Sequence, residues 1–152
     1  MHETPILAVI GGSGLYEFDD LEDVKEIEID TPFGQPSAPI TLGYLMGKPV
    51  AFLARHGIGH TLSPSDVPYK ANIFALKSLG VKRVVSVSAC GSLREAYAPG
   101  HIIIPNQIFD FTHKRERSFF GKGLVAHVSV ADPFCASLSN ILEEAVKQTN
   151  AK

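Results

Sequence analysis

An α/β fold, a sheet with helices between its strands, is what this chain of 152 residues predicts. Three observations carry the prediction. Short apolar, β-branched runs recur along the chain, each too short for a helix. Between and after them the apolar spacing changes to steps of three and four. Glycines stand where the strands end, and ligands bind at such places in sheets of this kind.

The elements follow in order. "ILAVIGGSG" (6–14) is a continuous apolar run broken by glycines, as a strand covered on both faces and a tight loop would be. "VKEIEID" (24–30) alternates imperfectly at Val24, Ile27 and Ile29, as a half-exposed strand does. "TPFGQPSAP" (31–39) is turn chemistry throughout. "KPVAFLA" (48–54) is a further buried strand. In "VPYKANIFALKSLG" (67–80), Tyr69, Ile73, Leu76 and Leu79 set a helical period that Gly80 would stop. "VKRVVSVSA" (81–89) and "HIIIP" (101–105) are two more expected strands. For the last helix, Asp132 is the expected cap and Pro133 suits the first turn. Phe134, Leu138, Ile141, Leu142, Ala145 and Val146 then form one stripe that is expected to pack into a core.

Bulk properties exclude several function classes. A net charge of −2 argues against binding nucleic acid through many unpaired cations. No apolar run approaches the ~20 residues needed to cross a bilayer, so no membrane association is expected. The start of the chain lacks the pattern of an export signal, and Cys90 and Cys135 are too few for a disulfide framework. A reducing, cytoplasmic setting fits, with both cysteines expected as small buried residues.

Three predicted strand ends have the chemistry of an anion site. The first offers Gly11, Gly12, Ser13 and Gly14, whose backbone can approach a ligand closely while Ser13 adds a hydroxyl. The second offers Arg55 and His56, the arginine with a planar fork suited to tetrahedral oxyanions. The third offers Ser88, Ala89, Cys90, Gly91 and Ser92. If the sheet brings these loops together, they make a phosphate-sized pocket. Each piece alone has a duller explanation as a turn, a cap or a surface charge.

Other chemistries fit less well. A dinucleotide-binding loop, with Asp30 closing the next strand, would need a glycine where Glu17 stands. His56 and His60 have the spacing of a zinc pair, but Gly57 and Gly59 argue against the helix that spacing requires. Cys90 has no local base to activate it as a nucleophile.

The motifs "AVIGGSGL", "DTPFGQPS", "FLARHGIGHTLSPSDVPYKANIFALKSLG", "SACGSLREAYAPGHIIIPNQIFDFT" and "DPFC" resemble the 5′-methylthioadenosine phosphorylases, in the trimeric branch of the purine nucleoside phosphorylases. The resemblance runs through nearly the whole chain. It implies a three-layer α/β/α sandwich around a twisted mixed sheet, with residues 1–152 as the N-terminal portion of a single domain. It implies phosphorolysis of methylthioadenosine to adenine and 5-methylthioribose 1-phosphate, with phosphate as co-substrate and neither metal nor organic cofactor. Ser13, Arg55, His56, Ser88 and Ala89 would then hold phosphate. Ala89, Cys90 and Gly91 would run past the ribose and base. His127 would reach a neighbour's methylthio pocket in a homotrimer.

The family's segment under the ribose and its purine-contacting aspartates have no counterpart in these residues. The chain is therefore expected to hold mainly the phosphate half of a site. The alternatives are a catalytically incomplete fragment or subunit that binds phosphate or nucleoside, and a phosphorylase of 6-oxopurine nucleosides.

Overall fold

The computed structural model describes residues 3–12, 20–121 and 123–151, in two compact units, Met1–Ala89 and Cys90–Lys152. The first unit holds a five-stranded mixed sheet. Its strands are β1 (Leu7–Gly11), β2 (Leu21–Ile27), β3 (Ile40–Leu45), β4 (Lys48–Ala54) and β5 (Arg83–Ser86), with helix α1 (Tyr69–Ser78) between β4 and β5. Their order across the sheet is β2-β3-β4-β1-β5. β2, β3 and β4 pair antiparallel, whereas β1 pairs parallel with both β4 and β5. The mixed sheet is the one expected.

The core lies on one face of this sheet. Register places Ala8 opposite Ala51 and Leu42 opposite Ala51, while Ile10 lies opposite Leu53. With Ile40 these residues form a buried cluster that Ala75 and Leu76 of α1 join. α1 buries Ala71, Asn72, Ala75 and Leu76 and leaves Ile73 exposed, so its inner face is set by small residues and is rotated from the expected stripe. Its end matches the sequence: Gly80 takes φ +90°, Gly80 N–H donates to Lys77 O and Val81 N–H to Leu76 O. This is the paired hydrogen bonding of a Schellman stop.

Three differences from the sequence expectations stand out in this unit. β2 starts and ends earlier than residues 24–30: its pairing with β3 runs from Leu21 opposite Leu45 to Ile27 opposite Ile40, with a register shift between Glu22 and Lys25. β3 was not anticipated. β5 stops at Ser86, short of residue 89.

The second unit is unlike the first. Its described residues include one helix, α2 (Ala136–Lys147), and none of them is fully buried. Cys135, not Asp132, occupies the cap position, and Ser139 N–H donates to its carbonyl. The stripe is only partly covered, with Ile141 62% exposed, so α2 does not enter a core as expected. "HIIIP" is no strand: the backbone bond of its first residue is a turn, His101 N–H to Ala98 O. Strand composition without a neighbouring strand to pair with does not make a ladder. Cys90 and Cys135 are exposed rather than buried. Among the described residues, no helix is long and apolar enough to cross a membrane.

Candidate functional site

The parallel half of the sheet decides where the site can be. β4, β1 and β5 are consecutive neighbours, with Gly11 opposite Ala54 and Ile10 opposite Ser86. The chain therefore leaves all three strands at the same edge. The ladder continues one residue further on each side: Arg55 N–H donates to Gly11 O at 2.9 Å, and Val87 N–H to Ile10 O at 2.9 Å. Three segments distant in sequence are thus tied together by backbone bonds at the point where Arg55, Gly12 and Ser88 begin their loops.

The Arg55 side chain spans this edge. Its Nη1 donates to Val87 O, at 3.3 Å, beyond the end of β5, and its Nε donates to His56 Nε2 at 3.2 Å. Its Nη2 lies over Gly12, where even a methyl side chain would stand 3.6 Å from it. Among the described residues no carboxylate pairs with Arg55. A cation stretched across three strand ends, with no acidic partner among the described residues, is arranged to receive an anion.

His56 is buried, at 7% exposure. The loop behind it turns back through left-handed conformations at Gly57, Gly59 and His60. Leu62 N–H donates to His56 O at 2.9 Å, and His56 Nδ1 meets Leu62 O at 2.9 Å. The His60 ring stacks obliquely on the His56 ring, with centroids 4.4 Å apart. On the other flank, Ser37 Oγ donates to Ala54 O at 2.7 Å, and Ser37 N–H donates to Oδ1 of the buried Asn72 at 2.8 Å. The proline-rich turn and α1 together hold the end of β4 in place.

Of the residues expected to bind phosphate, Arg55 and His56 are adjacent to one another. Arg55 also bonds to Val87, the residue before Ser88. Ser88 and Ala89 are exposed and lie directly after that contact. Ser13 lies outside the described residues. Cys90 and Gly91 follow Ala89 as the first residues of the second unit, and both are exposed, as is His127. An open groove of about 590 Å³ in the second unit, lined by Ile102, Ile104, Phe134, Asn140, Glu143 and Val146 among others, includes none of these candidates.

The comparisons with known proteins agree with this architecture. Residues 6–152 match the family model described as the phosphorylase superfamily. The chain belongs to the phosphorylase superfamily. Over 152 residues it is 55% identical to the S-methyl-5′-thioadenosine phosphorylase of Chloroflexus aurantiacus, covering 99% of this chain and 52% of that protein. It is 52% identical to the S-methyl-5′-thioadenosine phosphorylase of Saccharolobus solfataricus over 151 residues, which is 99% of this chain and 56% of that one. A crystal structure of methylthioadenosine phosphorylase from an antarctic soil metagenomic library superposes with a TM-score of 0.92 at 53% identity, covering 95% of this chain and 50% of that one. The fold is thus that of the nucleoside phosphorylases, as the motifs implied. The chain spans about half the length of the curated relatives it matches.

Sequence reasoning missed the residues that orient the site. The carbonyls of Val87 and Leu62 have no sequence signature, since every residue carries one. Ser37 and Asn72 lie outside the glycine and arginine motifs. His60 carried a signal, its spacing from His56, and in the fold the two rings stack.

Proposed function

We propose that this chain supplies the phosphate-binding portion of a phosphorylase that cleaves the glycosidic bond of 5′-methylthioadenosine, giving adenine and 5-methylthioribose 1-phosphate. The observation that carries the proposal is the Arg55 guanidinium, laid across the ends of β4, β1 and β5 with no acidic partner among the described residues. The names of the most similar relatives support the substrate.

The mechanism follows from the charges involved. As the glycosidic bond lengthens, the sugar gains oxocarbenium character, and phosphate attacks C1′ from the face opposite the leaving base. A phosphate held dry and in line stabilises that positive charge. Alignment of two bound reactants removes up to ~7–11 kcal/mol of barrier in well-oriented systems. Arg55 suits the task because guanidinium keeps its charge throughout the working pH range. Ser13, Ser88 and the Ala89 backbone would complete the phosphate cradle beside the Arg55–His56 pair, and phosphate serves as co-substrate without a further cofactor. Ala89, Cys90 and Gly91 would border the ribose and base, and His127 would reach a neighbouring subunit of a homotrimer.

The expected outcome for Arg55→Ala is a loss of ~2 kcal/mol or more in phosphate binding, roughly thirtyfold, as for other charge-assisted hydrogen bonds. Titration calorimetry with inorganic phosphate measures it, and an unchanged affinity rejects the proposal.

A second reading rests on the share of the relatives' length that the chain spans. On that reading these 152 residues bind phosphate or nucleoside without completing the reaction. Phosphate-dependent release of adenine from methylthioadenosine by the pure chain separates the two. Release at an ordinary enzyme rate favours the first, and phosphate binding without release favours the second.

A further inference from the structure

The carbonyl of Ala54, the last residue of β4, sits where the sheet offers it no donor. Carried two residues beyond Thr41 opposite Phe52, the β3–β4 register sets Pro39 against Ala54. Proline has no N–H, so the ladder bond due at that position cannot form. Two groups from outside the ladder take its place. The Ser37 hydroxyl donates to Ala54 O at 2.7 Å, and Gly57 N–H donates to the same oxygen at 3.2 Å. At the other end of the same peptide unit, Arg55 N–H donates to Gly11 O of β1 at 2.9 Å. Ser37 is itself held: its N–H donates to Oδ1 of Asn72 at 2.8 Å, and Asn72 lies on α1 at 3% exposure. Gly57 packs against the same serine, where a Cβ at a φ of +76° would stand 3.2 Å from Ser37 O. A carbonyl only accepts and a backbone N–H only donates, so none of these directions depends on a protonation state.

We infer that Ser37 and Asn72 are positioning residues for Arg55: Asn72 fixes Ser37, and the Ser37 hydroxyl clamps the Ala54–Arg55 peptide unit on the side facing away from β1. The inference rests on the phosphate reading given above and extends that site to two side chains that act through the arginine. A peptide unit is planar, so bonds at its carbonyl and at its N–H fix the tilt of the whole plane. That tilt sets the direction in which the Arg55 Cα–Cβ bond leaves the end of β4. A small rotation there is magnified along the length of the side chain before it reaches the guanidinium. Without Ser37 Oγ the carbonyl keeps only the longer turn bond from Gly57, and the plane is free to rock about the bond to Gly11. The turn chemistry of residues 31–39 thereby has a task in the site. It removes a ladder donor at Pro39 and delivers a hydroxyl in its stead, one that α1 holds in register with the core.

Hydrogen exchange at the Arg55 amide reads the clamp directly, in the intact chain and in three variants of it. Ser37→Ala removes Oγ alone, Ser37→Thr keeps a hydroxyl, and Asn72→Leu leaves Ser37 N–H without its acceptor at a similar side-chain size. In the alanine and leucine variants the Arg55 amide is expected to exchange about tenfold faster, beyond any factor it shares with Ala8 and Ala51 inside the sheet. A shared factor reports global stability alone. An increase no larger at Arg55 than at Ala8 and Ala51 therefore indicates a merely structural role and overturns the inference.

Titration calorimetry with inorganic phosphate gives the second readout. Ser37→Ala and Asn72→Leu are expected to weaken binding about fivefold, and Ser37→Thr to stay within about twofold of the parent, in line with the loss or retention of one hydrogen bond. Unchanged affinity in Ser37→Ala, or a threonine variant as weak as the alanine one, overturns the inference while the phosphate reading stands. A parent chain that takes up no phosphate defeats that reading, and the inference falls with it. Should Asn72→Leu fail to fold, the comparison of the two Ser37 variants decides.

Discussion

Arg55 illustrates how much a single residue can ask of its neighbours. A lysine there would keep the charge but lose the planar fork and both lateral anchors. Arg55→Lys is therefore expected to weaken phosphate binding by ~1–2 kcal/mol, since the charge-assisted bonds lost are worth ~1.5–3 kcal/mol each and a point charge restores part of them. Calorimetry that finds the lysine variant equal to the parent would contradict the geometry. Asp110 presents a different residue-scale case. Hydrogen bonds from the Thr112 hydroxyl, then from the Thr112 amide, hold its carboxyl below the ordinary carboxylate range, with Arg117 and Arg115 adding to the effect. Because the folded value is depressed, the charged form favours this turn above the ordinary value of ~3.9, and the benefit disappears as pH falls through the lowered value. Thr112→Val should move the Asp110 midpoint up towards the ordinary range, as followed by side-chain NMR; an unmoved midpoint would refute the assignment. At this scale the sequence revealed the cation and its histidine, because few residue types can bind an anion tightly. It concealed Val87 O and Leu62 O, because a carbonyl acquires a role only from its position.

Among the elements, legibility followed chemistry that acts locally. β1, β4 and α1 were readable because continuous apolar runs and a glycine stop are local signals. β3 was hidden for a physical reason. Its interior Gly43 weakens the strand pattern, yet a Cβ there would meet Leu21 Cγ at 2.6 Å, so the position exists to admit the β2 side chain. The turn that follows is equally disguised, since Met46 rather than the usual Asn or Asp takes φ +50° before Gly47 at φ +70°. The stop of α1 provides a direct test. Gly80 combines φ +90° with a site where a Cβ would come within 2.4 Å of Thr4 Cγ2. Gly80→Ala should destabilise the chain by more than ~1 kcal/mol, the usual cost of alanine forced into a left-handed cap. Denaturant unfolding measures it, and an undiminished midpoint would mean the cap is not as described.

At the scale of the whole molecule the two units differ in how well they bury their apolar surface. The first has a contiguous core spanning three strands and a helix. In the second, Phe109, Phe111, Leu124, Val125 and Val128 are between 66% and 87% exposed. Apolar surface of this extent normally faces another part of a structure. The isolated chain is expected to bind a hydrophobic dye, and its amides in Cys90–Lys152 to exchange faster than those of β1 and β4. Uniform protection across both units would overturn that expectation. Sequence patterns could not foresee the difference, because the α2 stripe and "HIIIP" have the composition of buried elements. Composition states a preference for burial, and only a partner surface fulfils it.

The placement of β1 between β4 and β5 has a kinetic corollary. Neither loop from a flanking strand is correctly seated until both parallel pairings close, and these join residues more than forty positions apart. Contacts of that range form slowly. In a refolding experiment, the capacity to bind phosphate should therefore lag behind the recovery of helical signal, so the anion serves as a clock for completion of the sheet's centre.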